Sequence, residues 1–199
     1  MSSDPALEVV LVRHAQTEWS LSGRHTGRTD IPLTDDGRAA ARVLGPRLRE
    51  WRFERVLVSP LRRARETCEL CGLGERAEVC ESLHEWDYGD YEGLTSAEIH
   101  AQRADWSLWR DGCPGGESPA QVGARADRVI AELGDAHGAI AVFSHGHMLR
   151  VLGARWIELA PEHGARLGLS TAAISVLGYE RETSILARWN DAGASSREL

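Results

Sequence analysis

The stretch EVVLVRH, residues 8–14, decides how this chain folds, because a short apolar run ends in two side chains that packing alone does not need. Four consecutive apolar residues, 9–12, are rich in the β-branched type and predict a strand buried on both faces. Arg13 and His14 follow directly at its carboxyl end. The stretch therefore predicts a core strand that delivers an arginine and a histidine to one place.

The same pattern recurs twice more along the chain. Apolar runs at 54–59 and 139–144 predict two further strands, each followed by a polar cluster at 59–63 or 144–147. Helix-like patterns follow the strands, and alternation of this kind predicts an α/β fold. We expect a three-layer sandwich with a mostly parallel central sheet and helices on both faces. The predicted helices are 34–50, 62–71, 118–133 and 146–158, and two last strands, 172–179 and 183–189, are expected to form a hairpin or flank the sheet.

The three polar clusters are expected to form one site, because ligands of such sheets lie beyond the carboxyl ends of the strands. Two segments, 15–33 and 84–117, are too long for plain connections and are expected to cover that site as lids. We expect a single domain over residues 1–199, with a frayed tail from about 190 to 199.

Composition excludes several classes of function. The chain has 199 residues, 42% of them hydrophobic and 27% charged, and a net charge of −7. This charge argues against a nucleic-acid surface, which needs a basic face. No apolar run approaches the ~20 residues of a membrane span, and the first residues do not resemble a secretory signal, so we expect a cytoplasmic protein. Every basic residue is an arginine, which excludes Schiff-base chemistry and a P-loop lysine.

The spacing of the four cysteines does not fit a zinc site. Cys68 and Cys71 have the spacing of half a zinc site, but Cys80 and Cys113 do not provide a second close pair. The first two lie three apart in a predicted helix, where they can simply pack. We therefore expect free thiols, no metal site and no cofactor.

Six segments, in this order, resemble the histidine phosphatase superfamily, also called phosphoglycerate-mutase-like. One departure is Ala15, where the family usually has a glycine; alanine is still small enough for a ligand to approach. The segments are LVRHAQTEW (11–19), GRHTGRTDIPLTDDG (23–37), SPLRRARET (59–67), LHEWDYGDYEG (83–93), DGCPGGES (111–118) and SHGHMLR (144–150).

The residues of these segments suit phosphoryl transfer, which needs positioned charge more than elaborate covalent chemistry. Arg13 and Arg63 can each present a planar fork to phosphate oxygens, and His145 adds a donor if it is protonated. Arg63 is preferred to its neighbour Arg62 because the family places its arginine immediately before the alanine. The helices that begin near 62 and 146 are expected to direct backbone N–H groups at the same anion.

The resemblance assigns the chemistry to one histidine and one carboxyl group. His14 is expected to attack phosphorus, provided that one ring nitrogen is neutral and the other is held by a hydrogen bond. Glu85, between Leu83 and Trp86, is expected to protonate the leaving group and then to activate water, because an apolar setting raises the pKa of a carboxyl group. Asp87 remains the rival for this role.

Further residues are expected to contact the substrate. His147 faces the substrate or packs under the lid, and the sequence leaves both open. Trp106 and Trp109 are interpreted as lid core rather than as a stacking platform. The remaining expected substrate contacts are Gln16, Ser20, Thr26, Gly27, Tyr88 and Gly146.

The phosphatase branch of the family is favoured over the mutase branch. Mutases carry a longer insertion after the glutamate motif and commonly a lysine near it, whereas this chain has no lysine. Several segments look most like fungal-type sedoheptulose 1,7-bisphosphatases and related bacterial acid phosphatases. We expect a metal-independent enzyme for small phosphomonoesters, with sugar phosphates or bisphosphates as candidates. A phosphoglycerate mutase and a non-catalytic phosphate-binding module are the alternatives, and a homodimer is left open.

Overall fold

Strand β1, Glu8–Arg13, lies inside a six-stranded mixed sheet. The computed structural model describes residues 7–134 and 136–193. The sheet order is β3-β2-β4-β1-β5-β6; β1, β2, β3 and β4 pair in parallel, and β5 and β6 are antiparallel to their neighbours. The other strands are β2 (Phe53–Val58), β3 (Ala77–Val79), β4 (Ala139–Ser144), β5 (Ile174–Glu180) and β6 (Thr183–Asp191).

The predicted strands are present, with two differences at the sheet edges. β5 and β6 form the hairpin that was one of the two predicted arrangements, at one edge of the sheet. The first difference is at the other edge, where β3, a three-residue strand, was not predicted. β6 continues through Asp191, which pairs with Ile174, so the expectation of a frayed tail from residue 190 is wrong at that point. Asn190 donates its backbone N–H to Ser175 Oγ at 3.0 Å, which holds this end of β6. Residues 194–199 of the expected tail lie outside the described part.

Four long helices confirm the predicted ones, and three short helices lie in the segments that were predicted as loops. Thr34 caps α2 by accepting the N–H of Gly37, and Ser118 forms a capping box with Gln121 at α6. The helices are α1 (Glu18–Ser22), α2 (Asp35–Leu48), α3 (Arg62–Leu70), α4 (Ser96–Gln102), α5 (Leu108–Asp111), α6 (Pro119–Leu133) and α7 (Gly146–Trp156).

The sheet lies between two helical layers, as expected. Alternate residues of a strand point to opposite faces, so Val10 and Val12 pack against α2 and α3, whereas Val9 and Leu11 pack against α6 and α7. All four side chains are almost fully buried. In residues 7–134 and 136–193, no helix is both long enough and apolar enough to cross a membrane.

The register of the parallel strands places the polar clusters side by side. Arg13 pairs with Ser144 across β1 and β4, and His14 donates its N–H to the Ser144 carbonyl at 2.9 Å. Ser59, just after β2, donates its N–H to the Phe143 carbonyl at 2.9 Å. The ends of three adjacent strands therefore meet at one edge of the sheet, where the sequence predicts a site.

Candidate active site

A pocket of about 270 Å³ opens at this edge. It contains residues from β1, from α7 and from both segments that were predicted as lids. Those two segments contact each other: His25 donates its N–H to the Leu94 carbonyl, and Gly93 donates to the His25 carbonyl. The lining residues are Arg13, His14, Ser20, Gly23, Arg24, His25, Thr26, Glu85, Tyr88, Ser96, Gly146, His147 and Arg150.

His14 is held as a neutral imidazole with a defined tautomer. Its Nδ1–H donates to the carbonyl of Ala15 at 2.8 Å, which leaves Nε2 as the unprotonated nitrogen. Burial, with Arg63 and then Arg13 nearby, lowers the pKa of His14 well below its usual value. The Ala15 N–H in turn donates to Thr67 Oγ1 at 3.1 Å and fixes the backbone beside the ring. The ring is therefore oriented and carries a free lone pair.

Arg13 presents unused hydrogen-bonding capacity at the pocket. One Nη1 proton is donated to the Leu169 carbonyl, but the buried Nε–H has no acceptor among the residues that the structure describes. A Cβ at Gly146 would lie 3.1 Å from the guanidinium carbon of Arg13, so a larger residue there would press on this arginine. A buried arginine donor without an acceptor suits an anion.

Arg63 lies behind His14 rather than in the pocket wall. It is fully buried, and its Nε donates to Nδ1 of His145 at 3.1 Å. Its Nη1 and Nη2 donate to the carbonyls of Thr29, Thr26 and Gly27. The expectation of a free fork is therefore wrong for this arrangement, because loop carbonyls take most of its donors. Its charge still acts on the pKa of His14.

His145 is likewise a buried neighbour of His14, with ring centroids 5.2 Å apart. Because its Nδ1 accepts from Arg63, its Nε2 carries the proton and donates to Ser59 Oγ at 2.7 Å. Burial, and next the charge of Arg63, lower the pKa of His145 well below its usual value. Both nitrogens of this neutral ring are engaged, so the expected extra phosphate donor is not available here.

The first turns of α3 and α7 donate to carboxylates. Asp30 Oδ1 accepts the N–H of Arg62 at 2.7 Å, and Glu85 accepts the N–H groups of His147 and Met148 at 3.0 and 2.8 Å. The expectation that the first-turn N–H groups point at a bound anion is therefore wrong for Arg62, His147 and Met148. At these helix ends, oxygens of the protein's own carboxyl groups occupy the place where a bound anion would accept the N–H groups.

Glu85 is the carboxyl group of the pocket, and its position is closely defined. It is 7% exposed, and Oε1 also accepts the N–H of Trp86 at 2.9 Å. Arg125 fixes the preceding backbone by donating to the carbonyls of Ser82, His84 and Glu85. Asp87, its rival, instead pairs with the exposed Arg28 at 2.7 Å and does not line the pocket. Geometry favours Glu85.

His147 both lines the pocket and packs under the second segment. Tyr88 Oη and Nδ1 of His147 share a hydrogen bond of 2.6 Å, and burial raises the pKa of Tyr88 well above its usual value. Its ring lies 5.3 Å from that of Trp109 and is stacked on His25 at 6.3 Å. Trp106 is buried and donates to the Gly112 carbonyl. Trp106 and Trp109 thus belong to the packed layer, as expected.

The other expected substrate contacts divide into two groups. Ser20, Thr26 and Gly146 line the pocket, whereas Gln16 accepts from Thr34 Oγ1 and lines a neighbouring pocket. Gly27 lies outside: its N–H donates to Glu92, and a Cβ there would lie 2.6 Å from the Trp86 carbonyl oxygen. Gly27 is therefore required by close packing rather than by contact with the pocket.

Five lining residues were missed by sequence reasoning. Arg150 carried a usable signal, because it is four residues after Gly146 in α7 and three after His147, which places all three on one helical face. The others lie in the two segments predicted as lids, where no helix or strand pattern indicates which side chains face the pocket. They are Gly23, Arg24, His25 and Ser96.

The cysteines pack rather than form a cluster. Cys68 is buried in the core, and the Cys71 thiol donates to the Ala41 carbonyl. Burial raises the pKa of both thiols to about 12. Within residues 7–134 and 136–193, the structure contains no group of three or more His, Cys, Asp or Glu side chains arranged to hold a metal ion.

Comparison with known proteins identifies the family. The model of the histidine phosphatase superfamily (branch 1) matches residues 9–192. An acid phosphatase of Mycobacterium tuberculosis is 43% identical over 184 residues, 90% of each chain. Sedoheptulose 1,7-bisphosphatase of Saccharomyces cerevisiae is 37% identical, over 75% of this chain and 67% of its own.

Mutases and a solved structure are also similar. A 2,3-bisphosphoglycerate-dependent phosphoglycerate mutase of Cytophaga hutchinsonii is 33% identical, over 83% of this chain and 84% of its own. A solved structure of an open reading frame product from Mycobacterium tuberculosis superposes with a TM-score of 0.88 at 40% identity, covering 92% of this chain and 97% of that one. The chain therefore belongs to the histidine phosphatase superfamily, branch 1, as a phosphatase-type enzyme.

Proposed function

We propose that this protein hydrolyses small phosphomonoesters through a phosphohistidine on His14, with Glu85 as general acid and base and without a metal ion. One observation carries the proposal. The neutral His14 ring donates from Nδ1 to the Ala15 carbonyl and keeps the Nε2 lone pair, in a pocket that also contains Arg13 and Glu85. A nucleophile, a cation and a proton donor share one cavity.

In the first step, the Nε2 lone pair of His14 forms a bond to phosphorus and the P–O bond to the alcohol breaks. The alkoxide takes the proton of Glu85, so the carboxyl group becomes a carboxylate. The Nδ1–H bond to the Ala15 carbonyl supports the positive charge that develops on the ring. The unpartnered Nε–H of Arg13 is the donor best suited to a phosphoryl oxygen.

In the second step, the Glu85 carboxylate takes a proton from water as the water oxygen forms a bond to phosphorus. The N–P bond breaks, inorganic phosphate leaves, and His14 regains its lone pair. Arg63 and His145 support the nucleophile from behind, through charge and packing rather than through direct contact with the pocket.

Sugar phosphates and sugar bisphosphates are the substrates that we favour, in the cytoplasm. The similarity to a sedoheptulose 1,7-bisphosphatase supports a phosphorylated sugar, and hydroxyl groups among the pocket residues can hydrogen-bond its alcohols. A mutase would instead return the phosphoryl group to a second acceptor and would need a bisphosphorylated primer.

The test is release of inorganic phosphate from a panel of sugar phosphates and from p-nitrophenyl phosphate, with and without EDTA. Quenching in alkali should trap a phosphohistidine that survives in base and is lost in acid, and mass spectrometry should locate it on His14. Activity that requires added Mg²⁺ or Zn²⁺ contradicts the metal-free scheme. Conversion of 3-phosphoglycerate with a bisphosphorylated primer, and no release of phosphate, supports the mutase instead.

A further inference from the structure

Arg150 lies in a wall that the active-site pocket shares with a second pocket of about 560 Å³. We call this second cavity the side pocket. Arg13, Ser20 and Arg150 line both cavities, so the side pocket lies directly beside the active-site pocket. The side pocket is lined by Arg13, Gln16, Ser20, Leu21, Arg150, Gly168, Leu169, Ser170 and Thr171.

The side pocket has the lining of a site for a polar anion. It contains two guanidinium groups, hydroxyl side chains and one amide, and no carboxylate is among its described lining residues. The whole chain carries a net charge of −7, so a cavity whose described lining has two arginines and no carboxylate is a local exception. Arginine is the side chain that best matches phosphate and carboxylate oxygens.

Arg150 is held in place without being neutralised. Its Nε and Nη2 donate to the carbonyls of Gly164 and Ala165, both at 3.0 Å, and its guanidinium carbon lies 4.6 Å from the centre of the Trp109 ring. Burial and then the charge of Arg13 lower the pKa of Arg150, and among the described carboxylates Glu85 of the active-site pocket acts in the opposite direction. Nη1 of Arg150 takes part in neither of the two hydrogen bonds to Gly164 and Ala165. The guanidinium is therefore fixed in orientation and keeps donors for a ligand.

One short segment orients both arginines. Gly164 and Ala165 lie in a 3-10 turn, Pro161–Arg166, and hold Arg150, while the Leu169 carbonyl accepts from Arg13. Trp189 donates to the Gly168 carbonyl at 2.7 Å and ties the segment to β6. The guanidinium groups of Arg13 and Arg150, which repel each other, are thus both held at the wall of the side pocket. An anion bound between them would offset that repulsion.

We propose that the side pocket binds a second anionic group of the substrate, a phosphate or a carboxylate, through Arg150. This inference rests on the proposed function, since it assigns a specificity to the same active site. The preferred substrate class is then a phosphomonoester that carries another anion at its far end, with hydroxyl groups between the two.

The first experiment replaces Arg150 with glutamine and measures kcat/KM on a hexose bisphosphate, the matching hexose monophosphate and p-nitrophenyl phosphate. The wild-type enzyme should prefer the bisphosphate. In Arg150→Gln, the ratio of kcat/KM for the bisphosphate to that for the monophosphate should fall by about 10- to 100-fold, mostly through KM, because the second anion is bound in the ground state and in the transition state alike. Arg150→Lys, which keeps the charge but loses the fork, should restore part of the ratio.

A second variant tests the side pocket without altering Arg150. Leu21 lines it and is 61% exposed, so a substitution there leaves the core intact. Leu21→Glu places a negative charge at the rim and should lower the bisphosphate ratio several-fold, whereas the neutral Leu21→Gln should not. A pair of substrates with and without a carboxylate, 3-phosphoglycerate and glycerol 3-phosphate, distinguishes the two kinds of anion.

Two results would overturn the inference. One is an equal loss on bisphosphate and monophosphate in Arg150→Gln, which would make Arg150 a support for Trp109 and the 161–166 turn. The other is a wild-type enzyme that hydrolyses both substrates equally well. If the proposed function itself is wrong, the result is different: the wild-type enzyme releases no phosphate from any substrate, p-nitrophenyl phosphate included.

Discussion

Substitution of Glu85 by glutamine separates proton donation from every other role of this side chain. Glutamine has nearly the same shape but cannot protonate a leaving alkoxide. General acid catalysis contributes about 10²- to 10⁴-fold, so kcat on a sugar phosphate should fall by that amount. On p-nitrophenyl phosphate, whose phenolate leaves almost without a proton, the loss should stay below about 10-fold.

The structural cost of Glu85→Gln follows from its three hydrogen bonds. Oε1 accepts the N–H groups of Trp86 and Met148, and Oε2 accepts that of His147. The amide oxygen can take the place of Oε1, but the amide nitrogen then faces the His147 N–H, and one bond is lost. Leaving one buried donor unsatisfied costs about 1–3 kcal/mol. Against a typical stability of about 5–15 kcal/mol, the variant should remain folded.

The assay is steady-state kinetics on both substrates, with the free energy of unfolding measured by urea denaturation of the same preparations. The two substrates share each preparation, so differences in the active fraction cancel. Asp87→Asn is the matched control, because Asp87 pairs with the exposed Arg28 outside the pocket and should change kcat less than about 3-fold. Equal losses on both substrates in Glu85→Gln would refute the role of proton donor and leave a positioning role.

Three further outcomes are expected. His14→Asn should abolish turnover and phosphoenzyme formation while the protein still unfolds cooperatively; retained wild-type activity would show a misassigned nucleophile. Vanadate should inhibit at low concentration and EDTA should not, because a trigonal-bipyramidal oxyanion resembles the transition state; inhibition by EDTA would be the contrary result. The pKa values of His14, His145 and His147 are lowered in the folded state, mainly by burial, so below pH ~6.5 the unfolded chain binds more protons and stability is lost as the pH falls. The free energy of unfolding should drop by up to about 1.4 kcal/mol per pH unit for each histidine, and a flat profile from pH 6.5 to 5 would contradict this.

The sheet and the four long helices were predictable because each is encoded locally. The apolar runs at 9–12 and 139–143 have no polar residue to place on a solvent face, so they had to lie in the middle of a sheet. Caps at Thr34 and Ser118 set where two helices begin. β3 was missed because three residues with an exposed Val79 carry no periodic signal.

The inner contacts of the site depend on which distant groups meet, and local patterns do not contain that information. Arg63 was recognisable as a site arginine, yet the carbonyls of Thr26, Gly27 and Thr29 that engage it come from more than 30 residues away. The same applies to the carboxylates of Asp30 and Glu85 at the helix ends. A helix N-terminus indicates that an anion fits there, but it does not indicate whether that anion is a ligand or a side chain of the protein.

Helix α7 connects three residues of the site: Glu85, His145 and Arg150. His145 precedes its first turn without a side-chain cap, and Glu85 fills that position by accepting the N–H groups of His147 and Met148. One turn later, Arg150 points to the shared wall of the two pockets. The backbone of α7 thus contacts the proton donor and carries the cation, while the carbonyls of Gly164 and Ala165 orient the guanidinium of Arg150. An enzyme built in this way can vary its 164–171 segment, and with it the side pocket, without displacing Glu85.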